Sequence, residues 1–264
     1  MTHKIREVYI VHHSHTDVGY TDLQEQVIYN QANNIRRAVE LIENGIKNNT
    51  TQKDLKWNCK TWYCVEQFFK IATEEEKEKF FDLVKKGNIG LSANYLNFND
   101  LADCKYLKEK IHTIQEICGE KGIQIKTAMI ADINGISMGQ RDALIENGVE
   151  FLYTNIHTHH GMYPLYQNQK PYFWENENGL LVWNGEHYNL GNALGIVLNK
   201  NVNFMTENYF GKKNGDVTGL LENLHTNLAA SIKEYEENGY PYDFYITSVS
   251  GVFSDNAPIN PAIA

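Results

Sequence analysis

The chain has 264 residues, 42% of them hydrophobic, which suffices for one large α/β domain with a sizeable core and is too apolar for a disordered chain. A formal net charge of −9 and a pI near 5.6 argue against nucleic acid, whose phosphates favour basic faces. No run approaches the roughly 18 to 20 apolar residues of a membrane span and no signal-peptide core follows the N-terminus, which predicts a cytoplasmic protein without a membrane partner.

The first strand is expected over residues 8–11, and polar chemistry begins where it ends, in His12-His13-Ser14-His15-Thr16-Asp17-Val18-Gly19-Tyr20. His15 and Asp17 sit two apart, so one short turn can present an imidazole nitrogen and a carboxylate oxygen to the same divalent metal. Thr21 and Gln24 have the spacing of a capping box, and Val27, Ile28, Ile35, Val39 and Ile42 continue at helical spacing to Gly45. A second strand over 55–59 precedes a helix from Val65, and Thr73 with Glu76 opens another that ends at Lys86-Gly87.

Strand three is read at 89–93, a helix at 100–118, strand four at 125–130, a helix capped by Ser137 and stopped at Gly148, and strand five at 151–154. Residues 157–172 read as an irregular aromatic loop broken by Pro164 and Pro171. Strand six follows at 180–183, a long helix at 216–237 and strand seven at 243–248, while residues 194–215 fit no element. Strands alternating with helices predict parallel pairing with right-handed crossovers, closed or nearly closed into a single-domain barrel. The four cysteines lack C-x-x-C spacing and read as reduced thiols.

The polar residues just past these strands are His13, His15 and Asp17 after strand one and Asp132 after strand four. His157, His159 and His160 follow strand five, Glu186 and His187 strand six, and Asp255 strand seven. In a parallel barrel all of these points lie on one face. Asp132 directly follows an apolar strand, where a bare carboxylate is costly to desolvate, and Ser137 already supplies the cap of the next helix. Asp255-Asn256 also reads as a simple turn. His157, His159 and His160 read as a second metal site, a solvated turn or, best, a substrate-contacting loop, because Tyr163, Tyr166, Tyr172, Phe173 and Trp174 flank them with flat apolar faces.

The segment from His15 to Tyr20 resembles the H-x-D-x-G-aromatic motif that opens the catalytic domain of family 38 glycoside hydrolases, the retaining α-mannosidases. The order of the later polar sites is similar too. The resemblance implies a seven-stranded β/α barrel of the type shared with polysaccharide deacetylases, one zinc ion, and retaining cleavage of an α-mannosidic bond through a glycosyl-aspartate. It makes residues 1–264 an N-terminal catalytic domain, with helical and β-sandwich domains expected after it. It assigns His15 and Asp17 as metal ligands, Asp132 as ligand and nucleophile, Asp255 as acid/base, and Tyr20 to an aromatic position near the sugar; His157, His159 and His187 are read as substrate contacts from their place past the strands. The family's fourth ligand, a later histidine, is expected beyond residue 264. One departure is Ile133-Asn134-Gly135 after Asp132, where many members carry a proline and an aromatic.

Two other readings compete. A metal-dependent deacetylase on the same barrel would show paired aspartates after strand one and an H-x-x-x-H pair, and neither is present. A non-catalytic carbohydrate-binding module would have no need of Asp132. Nothing in the sequence sets the oligomeric state.

Overall fold

A computed structural model describes residues 4–19, 21–97, 101–133, 135–156, 169–175, 178–185, 218–250 and 255–259. Tyr20, His157, His159, Glu186 and His187 lie outside the described residues, as does the unplaced segment 194–215. No described helix is long and apolar enough to cross a membrane.

Eight strands are described: β1 (Glu7–His13), β2 (Trp57–Cys59), β3 (Ile89–Leu91), β4 (Thr127–Ala131), β5 (Phe151–Asn155), β6 (Lys170–Trp174), β7 (Leu180–Asn184) and β8 (Phe244–Ser250). The helices are α1 (Gln24–Asn48), α2 (Trp62–Ile71), α3 (Glu74–Lys85), α4 (Cys104–Glu120), α5 (Met138–Glu146) and α6 (Thr218–Glu237). All seven strands expected from the sequence are present and pair parallel with one another within their sheets. The eighth, β6, falls in the stretch read as irregular. It pairs antiparallel with β7 at the end of its sheet, with Pro171 opposite Trp183. Proline lacks an N–H for the ladder, so an edge is where a strand can carry one.

The α3 capping box forms as expected: the Glu76 N–H donates to Thr73 Oγ1 and the Thr73 N–H donates to Glu76 Oε2. Ser137 caps α5 by accepting from the Gln140 N–H. The capping box expected at Thr21 does not form, because Leu23 occupies the N-cap position and Thr21 Oγ1 accepts instead from Asn256 Nδ2 at 2.7 Å. Gly45 does not stop α1 either. A Cβ there would meet the Lys53 nitrogen at 2.4 Å, so glycine serves the close approach of the 3₁₀ turn Thr51–Asp54. The helix ends at Asn49, in the left-handed conformation.

The strands form two four-stranded sheets, ordered β3-β2-β1-β8 and β4-β5-β7-β6, and among the described residues no ladder joins them. Among the described residues the backbone therefore closes no hydrogen-bonded barrel. Local bonds bridge the sheets instead. On one side the Ala93 N–H donates to Thr127 O and Thr127 Oγ1 donates to Leu91 O. On the other, Gln169 Nε2 donates to Ile246 O and Trp183 packs on Phe244, ring centroids 5.3 Å apart.

The main core lies between the sheets and their helices, where Ile35, Val39 and Ile42 of α1 meet Phe68 and Phe80. Strand alternation divides β4: Ala128 and Ile130 join that core, while Met129 and Ala131 face Val11 and Tyr153. Between the sheets a cavity of about 390 Å³ remains, walled by Tyr9, Phe151, Trp183 and Phe244 among others.

Candidate active and metal site

β1 and β4 end side by side in function though not in one ladder. Past β1 the chain turns through Ser14, His15 and Asp17, and past β4 it delivers Asp132. His15 is buried, and its Nε2 lies 3.0 Å from Asp17 Oδ1 and 3.3 Å from Asp132 Oδ2. One ligand atom from each residue lies within 4.8 Å of the others. One imidazole nitrogen facing two carboxylate oxygens is a donor set that suits zinc or another borderline divalent ion. The three residues that the sequence assigned to a metal are brought together.

Asp132 has φ 73°, a left-handed conformation that aspartate tolerates better than most residues. Its N–H donates to Asn155 O at 2.7 Å, and Asn97 holds the preceding residue by bonding both the N–H and the C=O of Ala131. The carboxylate is thus aimed by backbone held to β5 on one side and to the Asn97 side chain, in the loop after β3, on the other, rather than by a helix cap.

Lys60, just past β2, is buried and contacts His15 Nδ1 through its Nζ, which also donates to Ala131 O at 3.3 Å. Burial lowers its pKa to about 7, against the raising influence of Asp132, Asp17 and Asp255. Those three carboxylates therefore act on one ammonium at the centre of the site. His13 is fully buried, and burial above all, with the charges of Lys60 and His15, holds its pKa well below the usual histidine value.

Asp255 is buried, and it is joined to the metal loop through its neighbour Asn256, whose N–H donates to His15 O and whose side chain bonds the Asp17 backbone. Gln31 and Asn34 of α1 complete this network by donating to His15 O and Asn256 O. Lys60 was missed by the sequence reading although it obeys the same rule, being the first polar residue past a strand. Gln31 and Asn34 had a signal too, as polar residues on the otherwise apolar face of α1.

Parallel strands with covering helices and a His-Asp-Asp donor cluster at their carboxyl ends define an α/β domain whose strand ends could hold a divalent ion. The chain belongs to the glycosyl hydrolases family 38 N-terminal domain family, whose model matches residues 6–246. An α-mannosidase from Enterococcus faecalis V583 superposes with a TM-score of 0.64 at 15% identity, over 98% of this chain and 26% of its own. A second family 38 glycosyl hydrolase from Enterococcus faecalis gives 0.59 at 11%, over 95% and 24%. A 4-alpha-glucanotransferase from Thermococcus litoralis gives 0.51 at 11%, over 97% and 34%. At such identities the likeness is one of fold, and the chain spans about a quarter of the two Enterococcus structures. No curated protein matches the sequence.

Proposed function

We propose that this chain is the catalytic domain of a zinc-dependent retaining glycosidase acting on α-mannosides, with its seven parallel strands as the staves of an opened β/α barrel. The observation that carries the reading is the convergence of His15, Asp17 and Asp132 at the strand ends of a family 38 domain. The ion, once bound, would supply Lewis acidity and a template for sugar hydroxyls.

The remaining chemistry belongs to the chain. His15 offers the Nε2 lone pair, and Asp17 and Asp132 each offer an oxygen. Asp132 attacks the anomeric carbon and forms a glycosyl ester as the bond to the leaving oxygen breaks. Asp255 gives that oxygen its proton, then takes one from the water that hydrolyses the ester. A retaining reaction of this kind needs the two carboxyl groups about 5 to 5.5 Å apart. Tyr20, His157, His159 and His187 remain proposed sugar contacts.

The test is zinc content of the untagged full-length protein beside Asp17→Ala, dialysed identically, followed by α-mannoside hydrolysis monitored by NMR. Near-stoichiometric zinc lost in the variant, with a product that first appears as the α-anomer, is expected. A protein that binds no zinc would sink the metal reading. Release of acetate from acetylated glycans without mannoside cleavage would favour the deacetylase, and tight sugar binding without turnover would favour the non-catalytic module.

A further inference from the structure

Asn256 uses every polar atom it has. Its Oδ1 accepts from the Asp17 N–H at 3.0 Å and from Gln31 Nε2 at 2.7 Å. Its Nδ2 donates to Asp17 O at 3.0 Å and to Thr21 Oγ1 at 2.7 Å. Its own N–H donates to His15 O at 2.9 Å, and its carbonyl accepts from Asn34 Nδ2 at 3.0 Å. The residue is buried and has φ 59°, a conformation asparagine adopts readily.

The pattern is specific to a carboxamide. One planar group pairs with both the N–H and the C=O of Asp17, which requires an acceptor and donors side by side. A carboxylate of the same shape has no donor, and a hydroxyl is too short to span the peptide. Asn256 also follows Asp255 directly, so the group that grips the metal loop is one residue from the proposed acid/base.

We propose that Asn256 is the positioning residue of this site: its carboxamide sets Asp17 in place and registers the Asp255 segment against the metal ligands. The inference rests on reading His15, Asp17 and Asp132 as those ligands. It makes ion binding and proton delivery depend on one side chain that touches neither ion nor sugar.

The test compares Asn256→Gly and Asn256→Asp in the full-length protein with a structural control, Asn88→Ala. Asn256→Gly keeps the left-handed backbone and deletes the carboxamide, while Asn256→Asp keeps the shape and deletes the donors. Asn88 is as deeply buried, and its Nδ2 donates to Lys53 O and Leu55 O, away from the site. Zinc affinity is read by competition with a chromophoric chelator, kcat and KM at saturating zinc, and melting in EDTA.

Both Asn256 variants are expected to bind zinc about 10- to 100-fold more weakly, the range for residues that orient ligands. Their kcat at saturating zinc should fall at least about tenfold with KM nearly unchanged, since positioning acts on the reacting geometry. Asn88→Ala should melt at lower temperature with zinc affinity and kcat kept. If Asn256→Gly does not fold, Asn256→Asp decides alone. Zinc affinity in the Asn256 variants equal to that of Asn88→Ala overturns the positioning role. A wild-type protein without zinc affinity overturns the metal reading and this inference with it.

Discussion

At the scale of single residues, the site is written in positions that combine an unusual backbone with a polar side chain. Asp132 is the clearest case, because φ 73° is costly for most residues and mild for Asp, Asn or Gly. Asp132→Asn should therefore abolish turnover while keeping the left-handed backbone without added strain. Asp132→Ala should lose turnover and also cost roughly 1 kcal/mol more stability than Asp132→Asn, from backbone strain alone. Urea unfolding in EDTA checks this, and equal stability of the two variants would show that Asp132 is not held in that conformation. His15, Asp17 and Asp132 were legible in the sequence because each stands just past an apolar run. Lys60 was not, since a lysine after a three-residue strand reads as surface until it is found buried against His15.

At the scale of elements, the helices were legible where local chemistry decides them and obscure where tertiary contacts do. Thr73 and Glu76 cap α3 within their own segment, and Arg36 of α1 adds its bonds to Glu76 without displacing the box. Thr21 carries the same signal but is taken by Asn256, more than two hundred residues away in the chain. Thr73→Ala should accordingly cost about 1 kcal/mol, the usual loss when a threonine cap is removed. The midpoint of urea unfolding measures it, while zinc binding should be untouched because α3 does not reach the site. An unchanged midpoint would mean the α3 terminus is held by packing, with Arg36 on Glu76 as the alternative anchor. The strand β6 was hidden by Pro171, since a proline argues against a strand unless its edge position is known.

At the scale of the whole molecule, seven parallel strands were legible from alternation, and their division into two sheets was not, because closure depends on register between strands far apart in sequence. The sheet built on β1 makes the fold sensitive to acid. β1 lies between β2 and β8, and it carries His12 and His13 at its end, so their protonation is coupled to global unfolding. Burial lowers the pKa of His12 from 6.5 to about 4, and burial lowers that of His13 as well. Between pH 6.5 and about 4 the unfolded chain binds a proton at His12 that the folded chain refuses. Stability contributed by neutral His12 is therefore complete above that window, falls as pH falls through it, and is lost below it. The ceiling for His12 is roughly 3 kcal/mol, at about 1.4 kcal/mol per pKa unit, and its remaining solvent contact brings the effect below that. Urea unfolding in EDTA at pH 7 and pH 4.5 measures the loss in wild type and in His12→Gln. Carboxylates titrate in the same range in both proteins, so the difference between the two losses isolates the histidine. Wild type should lose more than the variant, and equal losses would show that His12 takes up its proton in the folded state as easily as in the unfolded one.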